Sequence, residues 1–144
     1  MIVYFDTSAL VPIVIEEATS GNATRLWREA ERVISSRLIY AEARAALAMA
    51  RPLNRLGEQE LRDAVDGLDS LIENLDMVEV TEELVRHAGT LAETLHLRGY
   101  DAVHVASAER VKDRDLVVAS GDENLLEAAK ALRLSVANLR DLPS

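Results

Sequence analysis

The chain contains no cysteine. That excludes disulfides, zinc–thiolate sites and thiol catalysis. Aromatic residues make up only 3% of it. Any core must therefore be aliphatic, which suits helices packed on a parallel sheet. No apolar run approaches the roughly 18 residues of a membrane span. The opening stretch Met1-Ile2-Val3-Tyr4-Phe5-Asp6 has no basic region and meets an acid at once. It reads as a first strand rather than a signal peptide, and the expected location is the cytoplasm. Positive charge is in deficit: 16 Lys and Arg stand against 25 Asp and Glu, a net charge of −9. That argues against non-specific coating of DNA and leaves room for a basic partner.

What is present is a chain of 144 residues, 49% hydrophobic. This is the usual size of one domain with one core, so a single domain over residues 1–144 is expected. No repeat or low-complexity segment is evident. Short apolar runs predict strands at 2–5, 77–80, 116–119 and 134–137, with a weaker candidate at 33–34. Helical periodicity predicts helices at 7–15, 22–31, 37–50, 58–74, 100–112 and 122–132, with another capped by Thr81. Pro52 stops the alanine-rich helix at 37–50. Strands alternating with helices predict an α/β fold with a parallel sheet. The exception is residues 37–74, where two consecutive long helices suggest an αα-hairpin beside the sheet.

Four isolated acids punctuate this pattern: Asp6, Glu42, Asp101 and Asp122. Lone carboxylates are costly to bury, so a protein that gathers several in one place usually gathers a cation with them. Asp6 and Asp122 both follow strands, Asp6 directly. In open α/β sheets that is where sites form, in the crevice at the carboxyl ends of the strands. Each aspartate also has an ordinary reading as a helix N-cap. Asp101 opens its expected helix, Asp122 can cap one helix while showing its other oxygen to the crevice, and Gly121 permits a tight turn before it. Glu42 is harder to dismiss. It shares a helical face with Leu38, Ala45 and Met49, and Arg44 points roughly the opposite way. A glutamate among apolar neighbours needs a partner from elsewhere, and a cross-helix salt bridge is the ordinary alternative. His104 lies one turn beyond Asp101 and reads as a structural histidine bonded to a neighbour rather than as a ligand. Ser120 and Glu123 read as secondary candidates, exposed or capping.

If the four acids converge, they form an all-oxygen site. Carboxylates and water suit Mg²⁺ or Mn²⁺ rather than zinc or copper. The chemistry that uses such a cluster without a dedicated histidine or cysteine is phosphodiester hydrolysis. Two other acid-rich enzyme classes fail on the residues. A phospho-acceptor receiver needs an aspartate ending a middle strand and a lysine ending a later one, yet Thr81 and Ser120 stand there. A phosphatase with an aspartate nucleophile needs Asp-x-Asp, and Asp6-Thr7-Ser8 lacks it.

Taken in order, Ile2-Val3-Tyr4-Phe5-Asp6-Thr7-Ser8-Ala9-Leu10, a helical Glu42, Tyr100-Asp101-Ala102-Val103-His104-Val105-Ala106-Ser107-Ala108 and Ala119-Ser120-Gly121-Asp122 resemble a PIN-domain nuclease. The length resembles the VapC-type toxins of toxin–antitoxin pairs, and the resemblance covers essentially the whole chain. It implies a PIN-like three-layer fold with a parallel five-stranded sheet. It implies endoribonuclease activity dependent on Mg²⁺ or Mn²⁺; with an activated water rather than the 2′-hydroxyl as nucleophile, the expected products are a 5′-phosphate and a 3′-hydroxyl. It also implies a homodimer, and an antitoxin whose C-terminal segment enters the acidic groove. Carried over residue by residue, it makes Asp6 and Asp101 direct metal ligands, with Glu42 and Asp122 completing the catalytic set. Thr7 or Ser8 is expected to hold a water or the Asp6 side chain. Arg37, Arg44, Arg98 or the Arg51 and Arg55 pair are candidates for steering RNA phosphates. The competing reading is a non-catalytic PIN-like module that binds RNA or a protein.

Overall fold

A computed structural model describes residues 1–50 and 56–143. The Arg51 and Arg55 candidates and the helix stop at Pro52 lie outside the described residues. The elements follow in order β1 (Ile2–Phe5), α1 (Thr7–Val14), α2 (Ser20–Glu29), β2 (Arg32–Ser36), α3 (Ile39–Ala50), α4 (Glu58–Asn74), β3 (Asp76–Val78), α5 (Glu82–Leu95), α6 (Gly99–Arg110), β4 (Leu116–Ser120), α7 (Glu123–Ala131) and β5 (Ser135–Asn138).

The five strands form one parallel sheet in the order β3-β2-β1-β4-β5. β1 is central because it is apolar on both faces. Its alternate side chains point to opposite sides, as the pleat requires. Val3 and Phe5 enter one core with Leu10, Leu26, Ile39, Leu47 and Leu68 from α1 to α4. Phe5 meets Trp27 of α2 edge-on, with ring centroids 5.5 Å apart. Tyr4 enters the other core, with Leu84, Leu91, Val105 and Leu125 from α5 to α7. The result is three layers, helices on both faces of the sheet, as expected.

The chain runs outward from β1 to β2 and β3, then returns to the other side of β1 to build β4 and β5. The winding therefore reverses between β1 and β4. Residues that leave the carboxyl ends of these two strands open onto the crevice where α/β folds place their ligands.

Two expectations need correction, at β2 and at α6. The weak strand candidate at 33–34 is a full strand over Arg32–Ser36, buried from Val33 onward. The consecutive helices α3 and α4 do pack on each other. They stand against one face of the sheet as expected, with Ile39, Ala43, Leu47, Ala64 and Leu68 in the core under β1. Finally, α6 starts at Gly99, so Asp101 is its third residue and Arg98 takes the N-cap position. Asp101 has no capping duty, which removes its ordinary explanation.

Candidate functional site

Asp6 is set by the end of β1. It is the N-cap of α1, with its Oδ1 accepting from the Ala9 amide at 2.9 Å. The capping reading is therefore correct, and it is incomplete. The Ser8 hydroxyl donates to Oδ1 at 2.8 Å, and the Ser120 hydroxyl, at the end of β4, donates to Oδ2 at 2.6 Å. Ser8 and Ser120 then accept from the amides of Gly121 and Asp122, both at 2.9 Å. Two hydroxyls thus stitch the β1 carboxylate to the β4 turn. Ser120 is fully buried rather than exposed, because this double duty turns it inward. Glu123 behaves as expected: it stays at the surface, bonded to Asn138.

Asp6 itself is only 4% exposed. Burial raises its pKa above the ordinary aspartate value. The His104 charge and the bonds from Ser120, Ser8 and Ala9 pull the other way without cancelling it. A carboxylate with three donors and a raised pKa lacks positive charge, not hydrogen bonds.

Asp122 follows β4 and caps α7, its Oδ1 accepting from the Asn124 amide at 2.9 Å and the Leu125 amide at 3.3 Å. Its Oδ2 faces the Arg98 guanidinium at 3.8 Å. One oxygen caps and the other is turned to the crevice. Gly121 does not adopt a positive φ, so its turn does not depend on glycine. Asp101 lies across from Asp122 and touches the same Arg98 at 3.4 Å. Its pKa is raised by burial first and then by the Asp122 charge, against the opposing pull of Arg98 and His104. These two acids repel each other, and the cation between them is a solvent-exposed side chain.

Glu42 reaches the crevice from α3, and its Oε1 lies 2.7 Å from His104 Nε2. Its helix is less apolar in its surroundings than the pattern implied. Ala45 and Met49 are exposed, and the buried stripe is Ile39, Ala43, Leu47 and Ala50. The partner from elsewhere is real all the same. It is His104, which is 2% exposed and holds the Tyr4 hydroxyl at 2.8 Å on its other nitrogen. A carboxylate only accepts, so Nε2 is the donor towards Glu42. Arg44 turns away onto Tyr40, as its position on the helix requires. Arg37 is forked onto Glu79 at 2.6 Å, which lowers the Glu79 pKa chiefly through that hydrogen bond.

Asp6, Glu42, Asp101 and Asp122 line one crevice of about 340 Å³, together with Ser8, His104 and Arg140. Among the described residues, no three acidic or histidine side chains are drawn close enough to enclose an ion by themselves. The donor set nevertheless fits a hard divalent cation. Mg²⁺ keeps several waters and is commonly held by only one or two carboxylates. The raised pKa values of Asp6 and Asp101, and the mutual repulsion of Asp101 and Asp122, are what a bound cation relieves.

Sequence reasoning passed over Arg140. It follows β5, and nothing in the local pattern links it to residues more than a hundred positions earlier. Only the pairing of β5 with β4 brings it to the crevice.

A sequence profile of the PIN domain matches residues 3–131. The chain is 44% identical over 136 residues to the ribonuclease VapC45 of Mycobacterium tuberculosis, covering 94% of each. Its fold matches the crystal structure of FitAcB from Neisseria gonorrhoeae with a TM-score of 0.72 at 18% identity, over 97% of this chain and 99% of that one. It also matches VapBC-5 of Mycobacterium tuberculosis, a member of the VapBC family of toxin–antitoxin systems, with a TM-score of 0.62 at 18% identity, over 95% and 98%. No helix among the described residues is long and apolar enough to cross a membrane.

Proposed function

The chain belongs to the PIN domain family, and we propose that it is an endoribonuclease dependent on Mg²⁺ or Mn²⁺, the toxin of a toxin–antitoxin pair. The observation that carries this reading is the meeting of Asp6, Glu42, Asp101 and Asp122 in one crevice at the reversal of the sheet winding. The 44% identity to a VapC ribonuclease supports the substrate class.

Asp6 and Asp101 are the ligands in this reading, with Glu42 and Asp122 binding directly or through water. When bound, the cation supplies the acidification of a water and the neutralisation of charge at phosphorus. Ser8, Ser120 and the Ala9 amide hold Asp6 in one orientation and favour its ionised form. His104 orients Glu42 from a buried seat. The reaction is hydrolysis: a water oxygen bonds to phosphorus and the bond to the 3′ oxygen breaks. The products are a 5′-phosphate and a 3′-hydroxyl.

The antitoxin is a small protein that presents a basic side chain, arginine above all, to the carboxylates, where a guanidinium pairs well. Arg98 already illustrates the chemistry, since it reaches Asp101 and Asp122 from within the chain. The toxin acts as a homodimer in the cytoplasm, where its RNA and its antitoxin are found.

The test is cleavage of structured RNA with Mg²⁺ or Mn²⁺. Activity should vanish in EDTA and in Asp6→Asn and Asp101→Asn while both variants stay folded. RNA binding with no cleavage at any metal concentration would leave the non-catalytic module as the better reading.

A further inference from the structure

The acids that bind a cation also repel RNA, and a chain with a net charge of −9 needs local positive charge to bring a phosphate over them. Among the described arginines expected to serve, Arg44 is turned onto Tyr40 and the other two are paired with acids. Arg37 is paired with Glu79, and Arg98 with Asp101 and Asp122. Arg140 differs. It lines the crevice, and among the described residues it forms no ion pair.

Its position is also fixed. The turn that carries it is anchored by Leu139, which is fully buried and donates its amide to the Ser120 carbonyl at 3.0 Å. Asn22 donates to the Leu139 carbonyl at 2.8 Å, and the Arg140 amide donates to Asn138 Oδ1 at 3.0 Å. The guanidinium itself is tied through Nε to the Gly121 carbonyl at 2.9 Å. A neutral carbonyl orients the group without spending its charge, and the two terminal nitrogens remain as donors. Planar, pre-oriented and unneutralised, this is the arrangement that grips a phosphate. Gly121 directly precedes Asp122, so the guanidinium is held beside the acids. Arg140 also lies beyond the residues matched by the PIN profile, 3–131.

We propose that Arg140 is a substrate-positioning residue that binds a backbone phosphate of the RNA next to the one being cleaved. The inference rests on the ribonuclease reading of the crevice, and it makes a separate claim.

The experiment compares wild type, Arg140→Gln and Arg140→Lys. Gln can keep the bond to Gly121 and loses the charge, while Lys keeps the charge. Two readouts are taken: kcat and KM for an RNA that the wild type cleaves, and the Kd of the same RNA in EDTA across a salt series. The expected result for Arg140→Gln is a KM and a Kd raised about tenfold, with kcat nearly unchanged. Its salt slope should be shallower by about one ion. Arg140→Lys should recover most of both, and all three proteins should melt alike. If Arg140→Gln matches wild type in KM, Kd and salt slope, the proposal is wrong. It is equally wrong if Lys fails where Gln succeeds, because Arg140 then acts only as a tie to Gly121. A wild type that binds RNA and cleaves none overturns the nuclease reading, and the Kd and salt slope still decide the role of Arg140. A wild type that binds no RNA overturns both.

Discussion

His104 Nε2 stands 2.7 Å from Glu42 Oε1, across two helices on opposite faces of the sheet. The ring is held from behind by the Tyr4 hydroxyl at 2.8 Å and by an edge contact with the Tyr4 ring. Burial pushes the Tyr4 pKa up, so its hydroxyl keeps its proton. This relay from the central strand fixes the one acid supplied by α3. Removing it by His104→Ala should cost about 2–4 kcal/mol, because a cavity opens and buried polar groups lose a partner. His104→Gln should fold better and still lose about 10- to 100-fold in metal affinity, as expected when the partner that orients a ligand is changed. Thermal melts and metal titrations of the two variants separate these effects.

The raised pKa of Asp101 has a sign that can be tested. An acid whose folded pKa lies above its unfolded value destabilises the folded state where it is ionised in both. That penalty applies at neutral pH and is relieved as pH falls through the raised folded pKa, in a window above the ordinary value of 3.8. Asp101→Asn should therefore melt at a higher temperature than wild type at pH 7 without metal. The difference should shrink on acidification through that window. A variant less stable than wild type at pH 7 and equal to it at low pH has the opposite sign and rules the penalty out.

Ser120 serves Asp6 and the α7 turn at once. Ser120→Ala should cost about 1–2 kcal/mol, the usual effect of losing a buried hydrogen-bond partner. It also removes a donor that favours ionised Asp6, so the Asp6 pKa rises further. The acid limb of the kcat/KM profile should move to higher pH. Ser8→Ala should move it the same way. A profile unchanged in both variants would separate Asp6 from the rate.

Metal should stabilise the folded protein in proportion to its occupancy. At a concentration one hundred times the Kd, Mg²⁺ or Mn²⁺ should add about 2.7 kcal/mol. The melting temperature should rise with metal in wild type and stay flat in the Asp6→Asn, Asp101→Asn double variant.

Much of the fold was legible because the signals are local. The apolar run at Ile2–Phe5 and the apolar stripe of α4 each identify an element on their own. β2 was faint because Ser35 and Ser36 end it. They read as polar, although Ser35 is buried by donating to the Phe5 carbonyl at 2.7 Å. The acids were legible as exceptions to a pattern, two of them at the ends of strands. What could not be read was who holds them. Ser120 looked like surface, and His104 like a structural residue with an unnamed partner. The partners of Glu42 and Asp6 stand 62 and 114 positions away, and Arg140 left no sequence signal because only the pairing of β5 with β4 brings it to Gly121. The cap reading of Asp101 fails because α6 begins two residues earlier, at Gly99, with Arg98 in the cap position.

The central claim is that four carboxylates from β1, α3, α6 and the β4 turn share a cation. Anomalous scattering from a crystal soaked in Mn²⁺ measures this directly. The account predicts a peak in the crevice within bonding distance of Asp6 and Asp101, with Glu42 and Asp122 bound directly or through water and Arg98 turned away. Mn²⁺ bound only outside the crevice, with Arg98 still on Asp101 and Asp122 and Asp6 still enclosed by its hydroxyls, would contradict it.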